Sequence, residues 1–236
     1  MSIRLDPLTQ DPLWFPPAEQ ALVQPDGLLA FGGDLSIARL QAAYRRGIFP
    51  WFSEGDPLLW WTPSTRAVFA PGALTPNRSL RKYARKQAYH YSCNRAFRQV
   101  IAQCGKTRSH TGTWITKDIQ QAYMKLHQAG LAHSIEVWRA ESLVGGLYGL
   151  QIGQLFCGES MFNLEPNCAK LALVLLQHHI SNDTAGWIDC QMPKPFLLQC
   201  GASPMPRQQF LHLLFELREK PVATNLWQSR TLEYQW

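Results

Sequence analysis

The chain has 236 residues, 46% of them hydrophobic and 17% charged, with a net charge of +6. That length and apolar content support a buried core and exclude general disorder, and no apolar run approaches the ~18 residues that a membrane span needs. The N-terminal stretch MSIRLDPLTQDPLWF has no signal-peptide apolar segment, so a cytoplasmic protein without a membrane partner is expected.

The first part of the chain is dense in turn formers, from Pro16-Pro17 through Pro25-Asp-Gly27 and Gly32-Gly33-Asp34 to Gly55-Asp-Pro57 and Pro63. Within it, Asp34 or Ser36 can cap a helix whose Ile37, Leu40 and Tyr44 share a face, with Gly47 closing it and Pro50 beyond. Aromatics then gather at Phe49, Trp51, Phe52, Trp60 and Trp61. They can glue a small domain to its neighbour or form the wall of a ligand site.

The charge is unevenly placed. Pro57 to Lys117 holds eleven Lys and Arg and no Asp or Glu, and the rest of the chain has 12 bases against 17 acids. Arg78, Arg81, Lys82, Arg85 and Lys86 fall on one face of a predicted helix. Like charges so close repel, and an anion would relieve them. Tyr83, Tyr89 and Tyr91 lie nearby and could stack on bases. A solvated basic face is the plain alternative, but an acid-free stretch of this length favours a nucleic-acid partner.

Further on, Thr116 can cap a helix carrying Ile119, Tyr123 and Leu126, closed by Gly130. Strand-like runs follow at His133–Ala140, Leu143–Leu150 and Gln154–Phe162, with breaks short enough for hairpins. Asn167 is expected to cap an apolar helix through Leu171, Val174, Leu175 and His178, and Gly186–Gln191 reads as another strand. Ser203 is expected to cap a last helix with Phe210, Leu213, Leu214 and Leu217 inward, stopped before Pro221. The order is α+β, with a mixed, mostly antiparallel sheet: a meander feeds one parallel crossover. It resembles the acetyltransferase-like (GNAT) fold. Acyl-CoA enzymes of that fold cradle pyrophosphate on a glycine-rich turn. The matching stretch here, Ser160-Met-Phe-Asn-Leu-Glu-Pro-Asn167, has no glycine, so another activated acyl donor is expected.

Six cysteines without C-x-x-C spacing read as reduced, mostly buried thiols rather than disulfides or a zinc site. The neighbours His178 and His179 diverge on a helix and make no metal pair, and His133 and His212 read as core or surface residues. Asp189 and Gln191 are two apart in the predicted strand, so their side chains share a face, and Glu159 at the end of a neighbouring strand can approach it. A solvated strand-end acid and a loop cap are the plain reading of the same carboxylates. Gly145, Gly146 and Gly149 mark either a bulge or a place where a ligand meets the backbone.

Several strings together carry a resemblance. Pro25-Asp-Gly-Leu-Leu-Ala-Phe-Gly-Gly-Asp-Leu-Ser36, Ala43-Tyr-Arg-Arg-Gly-Ile-Phe-Pro-Trp-Phe-Ser53 and Leu59-Trp-Trp-Thr-Pro63 are followed in order by Gly112-Thr-Trp-Ile115, His133-Ser-Ile-Glu-Val-Trp138, Phe156-Cys-Gly-Glu-Ser-Met-Phe162 and Ile188-Asp-Cys-Gln191. The set resembles the bacterial leucyl/phenylalanyl-tRNA–protein transferases. The resemblance implies a small N-terminal domain (1–65) and a GNAT-like catalytic domain (66–236). It implies transfer of Leu or Phe, and Met less well, from aminoacyl-tRNA to proteins with N-terminal Lys or Arg, which marks them for N-degron proteolysis. No cofactor or metal is implied, because the ester is already activated, and a monomer is expected.

By the same resemblance, Asp189 and Gln191 are the catalytic pair, with Asp189 polarising Gln191, and Glu159 positions the amine or the acceptor's basic side chain. Asp189 as general base and the terminal adenosine's hydroxyl as proton carrier both stay open. The aminoacyl pocket would be Trp51, Trp114, Leu147, Phe156, Leu176 and Ile188, with Leu147 and Leu176 standing where the family pattern has Met and Phe. Arg78, Arg81, Lys82, Arg85 and Lys86 would bind tRNA. After the catalytic strand this chain reads Gln191-Met-Pro-Lys-Pro-Phe196, where the family often has Gln-Val-x-Asn-x-His. The competing functions are another aminoacyl-tRNA-dependent peptide ligase of the cell-wall precursor type and a non-catalytic RNA-binding protein.

Overall fold

A computed structural model describes residues 5–107 and 113–236, so Arg108 of the basic segment and Gly112 of the Gly112-Thr-Trp-Ile115 string lie outside the described residues. Elements run in the order β1 (Asp6–Pro7), β2 (Leu28–Phe31), α1 (Ile37–Tyr44), β3 (Phe49–Pro50), β4 (Leu59–Trp61), β5 (Thr65–Phe69), α2 (Arg78–Lys86), β6 (Tyr89–Cys93) and α3 (Phe97–Lys106). They continue with α4 (Lys117–Gln128), β7 (Ala132–Arg139), β8 (Ser142–Ile152), β9 (Leu155–Asn163), α5 (Cys168–Ser181), β10 (Trp187–Asp189), α6 (Pro195–Gln199), β11 (Ser203–Pro206), α7 (Arg207–Leu217) and β12 (Arg230–Leu232).

Two sheets form, a four-stranded one ordered β1-β2-β4-β3 and an eight-stranded one ordered β11-β5-β10-β9-β8-β7-β6-β12. In the large sheet the strands pair antiparallel except β9 with β10, which α5 joins by the expected parallel crossover. The α+β arrangement with a β7–β8–β9 meander therefore stands. The large sheet is buried on both faces: Val68 of β5 joins one core cluster, while Ala67 and Phe69 join the other. The first cluster also binds the N-terminal part, since Phe15, Leu40, Phe49 and Trp60 pack in it with side chains of α3, α4 and α7. Among the described residues no helix is long and apolar enough to cross a membrane.

Local side-chain caps account for three helix starts. Ser36 and Thr116 accept the N–H groups of Arg39 and Ile119 at 3.3 Å each, as expected of caps. Asn77 does the same for α2, accepting from Leu80 at 2.9 Å. The α3 start has alanine at its cap position, and buried Glu136 of β7 substitutes by accepting the Arg95 and Ala96 N–H groups.

Two expected caps fail. Asn167 makes no side-chain cap and instead turns the chain with a left-handed backbone, φ 66°. Ser203 belongs to β11, where Ser203–Pro206 pairs with β5 at the sheet edge that prolines tolerate, and α7 begins after Pro206. The inward set of α7 is accordingly Phe210, Leu211, Leu214 and Leu217, with Leu213 half-buried. His178 at the end of the α5 pattern is exposed. The glycine run serves packing: a Cβ on Gly145 would lie 2.3 Å from the Cys168 Cβ, where α5 presses on β8. All six cysteines are free thiols.

Candidate active site

Glu159 owes its position to a bulge. The β8–β9 register runs Tyr148↔Ser160 and then Gly149↔Gly158, so Glu159 is an extra residue in β9. A regular strand would send Glu159 and Ser160 to opposite faces, whereas here both line one cavity. The carboxylate is almost fully enclosed. Tyr44, the last residue of α1, donates to Oε1 at 2.6 Å; Tyr123 of α4 donates to Oε2 at 3.1 Å; and Gln191 Nε2 donates to Oε1 at 2.7 Å. The two tyrosine hydroxyls also touch each other. Burial pushes the Glu159 carboxyl up to about 7, with Asp189 adding to the rise while the tyrosine hydrogen bonds and Arg66 oppose it.

Asp189, at the end of β10, makes contacts other than the expected one to the Gln191 side chain. It is ion-paired with Arg66 of β5, which reaches both carboxylate oxygens, and the two side chains are 1% and 2% exposed. The Arg66 guanidinium lies between the rings of Phe49 and Phe210, 5.0 and 4.4 Å from their centroids, and donates to the Gly47 carbonyl at 3.1 Å. Asp189 Oδ1 accepts the main-chain N–H of Gln191 at 2.9 Å. The expected strand ends at Asp189, and Gln191 sits in a left-handed turn, φ 64°. The two side chains therefore do not share a strand face. Asp189 fixes the turn that carries Gln191, and the Gln191 amide turns to Glu159, so side-chain polarisation of Gln191 by Asp189 is replaced by a backbone anchor.

The cavity has a volume of about 290 Å³, at the small end of small-molecule sites. Its walls include Trp51, Trp114, Leu147, Leu176 and Ile188, five of the six residues expected to form the aminoacyl pocket, together with Ala169, Leu173, Met161, Met192 and Phe196. Phe156 does not line it. That ring is fully buried, 5.5 Å from the Trp227 ring, in the same core cluster as the wall residues Leu147, Leu176 and Ile188 and paired in register with Ile188. Glu159, Gln191 and Ser160 supply polar groups to the otherwise apolar walls, and Lys194 is a cation on the lining. The loop aromatics divide the two roles left open by the sequence. Trp60 is core, with Nε1 bonded to the Gly32 carbonyl, and half-exposed Trp51 is cavity wall.

Elsewhere on the surface, Arg78, Arg81, Lys82, Arg85 and Lys86 are all exposed and, with Pro76, line a groove along α2, whose Leu80 and Ala84 are buried beneath. Arg85 Nε donates to the Trp236 carbonyl. The neighbouring tyrosines serve the fold instead of offering free rings. Tyr91 is buried against Trp236, and the Tyr89 hydroxyl is held by Glu165 at 2.5 Å and by Tyr83 at 3.1 Å.

Comparison with known proteins agrees over nearly the whole chain. The family described as leucyl/phenylalanyl-tRNA protein transferase matches residues 68–215, and its N-terminal domain matches residues 33–64. The chain is 53% identical over 221 residues to the leucyl/phenylalanyl-tRNA–protein transferase of Shewanella piezotolerans, covering 93% of this chain and 94% of that one. It is 48% identical over 233 residues to the protein of the same name from Photobacterium profundum, covering 99% and 98%. Among solved structures, FemX superposes with a TM-score of 0.44 at 10% identity, over 75% of this chain and 70% of that one. The chain belongs to the leucyl/phenylalanyl-tRNA protein transferase family.

Proposed function

We propose that this member of the family moves Leu or Phe, and Met less well, from aminoacyl-tRNA to the α-amine of proteins beginning with Lys or Arg, which marks them for N-degron degradation. One observation carries the reading: an apolar cavity bounded by Trp51, Trp114, Leu147, Leu176 and Ile188 also holds a carboxylate and an amide, Glu159 and Gln191. Leu and Phe side chains can be selected only by volume and burial, and such a pocket supplies both. The α-amine of the acceptor attacks the ester carbonyl, the C–N bond forms, and the bond to the terminal ribose oxygen breaks. The ester already carries the activation, so neither nucleotide nor acyl-CoA is required. The protein's work is to place the two reactants, manage one proton and stabilise the oxyanion. Glu159 is also the acidic group of the cavity, suited to hold a cationic N-terminus.

The α2 face grips the tRNA backbone. Residues 1–65 form a small N-terminal unit and residues 66–236 a catalytic unit; one aminoacyl end and one acceptor amine need one site, so a monomer, working in the cytoplasm, is sufficient. Replacing Arg81, Lys82, Arg85 and Lys86 by neutral residues is expected to weaken tRNA binding. It should also lower the slope of log affinity against log salt by about 3, at roughly 0.7–0.9 per lost phosphate contact. A titration at several salt concentrations reads this, and an unchanged slope moves the tRNA site elsewhere.

The function itself is tested by incubating the protein with radiolabelled Leu-tRNA and a peptide beginning with Arg. Label in the peptide is the expected result. Label only in a cell-wall precursor peptide would support a ligase of that type, and retention of tRNA without transfer would support an RNA-binding protein.

A further inference from the structure

We propose that Glu159, backed by the hydroxyls of Tyr44 and Tyr123, is the group that takes the proton from the attacking amine. The inference rests on the transfer reaction proposed above and assigns the step within it that Asp189 and Gln191 cannot perform. Asp189 is committed on both oxygens to Arg66, holds the Gln191 N–H as well, and is sealed from solvent. Gln191 presents Nε2 to Glu159 as a donor, and an amide is not a base at neutral pH. Among the described lining residues, Glu159 is the carboxylate, and it combines basicity with a place on the cavity wall.

Hydrogen counting supports the same choice. Glu159, Tyr44 and Tyr123 make three mutual contacts: Tyr44 to Oε1, Tyr123 to Oε2, and hydroxyl to hydroxyl. Two tyrosines carry two protons, so with Glu159 ionised one of the three contacts has no hydrogen in it. A third proton on Oε2 completes a ring: Oε2–H donates to Tyr123, Tyr123 to Tyr44, and Tyr44 to Oε1. The cluster has room for one proton and a hydrogen-bonded place for it.

The chemistry balances. The neutral amine attacks the ester carbonyl, the nitrogen then loses one proton to Glu159, and the same proton passes to the departing ribose oxygen, which restores the carboxylate. Tyr44 and Tyr123 are not on the cavity lining, act through Glu159 and are positioning residues. The groups facing Glu159 are Tyr44 from α1, Tyr123 from α4, Gln191 from the turn after β10, and the ion pair of Asp189 from β10 with Arg66 from β5; the Tyr148 ring of β8 backs Tyr123 at 5.7 Å. Burial sets the carboxyl near 7, so the proton-accepting form is lost as pH falls through neutrality.

The test is single-turnover transfer from saturating Leu-tRNA to one Arg peptide across the neutral range, in the wild type and in Glu159→Gln, Tyr44→Phe and Tyr123→Phe. Glu159→Gln should lose transfer by roughly 10²–10⁴-fold. Each Tyr→Phe variant removes a hydrogen bond that favours the ionised carboxylate, so its acid limb should move to higher pH by about one unit, with the KM for aminoacyl-tRNA unchanged. The acceptor amine titrates near neutrality as well, but it is the same peptide in every arm and cannot move with the variant. An acid limb that stays in place in both tyrosine variants, or a Glu159→Gln enzyme of normal rate, would overturn the assignment. A wild-type protein that transfers no label removes the transferase reading itself, which keeps the two failures distinct.

Discussion

Asp189→Ala is expected to lower the stability of the fold by about 3–5 kcal/mol as well as abolish transfer, because it leaves the Arg66 guanidinium charged, buried and unpaired. The pair is 1% and 2% exposed, so no water stands ready to replace the lost carboxylate. A further support goes with it: Oδ1 no longer holds the Gln191 N–H, so the left-handed turn that aims the Gln191 amide at Glu159 loses its anchor. Denaturant unfolding of the single variant should show the loss. The double variant Arg66→Met/Asp189→Leu should recover more than half of it, since a buried ion pair can be exchanged for apolar groups at little cost to the fold. Transfer should stay low in both variants, because neither restores the anchor of Gln191. A double variant as unstable as the single one would show that the charge pair is not the source of the effect. Full transfer in either variant would show that the turn does not need Asp189.

The second large effect is expected from Gly149→Ala. A Cβ at this position would lie 2.2 Å from the Cys157 carbonyl oxygen and 2.6 Å from the Phe156 ring, so β8 and β9 must move apart where the Glu159 bulge forms. Overpacking of this kind costs about 1–3 kcal/mol, and for a chain of this size that corresponds to a fall in Tm of roughly 2–12 °C. The larger consequence is chemical. A displacement near 1 Å at a reacting group costs about 100-fold in rate, so transfer should fall far more than the residual stability explains, with tRNA affinity retained. Gly105→Ala in α3 is the matched control. Its nearest neighbour would be 3.4 Å from the new Cβ, and it should fold and transfer normally. Equal behaviour of the two variants would dissociate the bulge from activity.

What the sequence discloses depends on how local the cause is. Helix caps that act over three residues, Ser36 and Thr116, are legible, as are the meander and the crossover helix, since alternation and apolar periodicity are written within each segment. The α3 start is not legible, because its cap comes from Glu136, 40 residues downstream of Ala96. Short strands such as β6, β11 and β12 are stabilised by distant partners and leave little trace of their own. In the site, the wall residues are legible from the strings that contain them, but a string does not say how deep a side chain sits, and Phe156 is buried beside Trp227 behind the cavity surface although it is paired with the wall residue Ile188. Tyr44 and Tyr123 read as apolar-face residues, and nothing local says that both end on one carboxylate. Arg66 did leave a signal: a base next to the apolar run Ala67-Val-Phe69 in one short strand needs a buried partner, and the topology supplies it from β10. The Glu159 bulge had only the three glycines of β8 as a hint.

The carboxylate at the centre of the site is served by hydroxyls from α1 and α4, an amide that follows β10, and an ion pair that β5 completes. A ribosome delivers these parts in sequence, Tyr44 early and Gln191 only after four-fifths of the chain has been made. On the role proposed for Glu159, the site is complete only once the late turn has docked onto the early helix, and unfinished molecules would then not discharge the aminoacyl-tRNA on which their own synthesis draws.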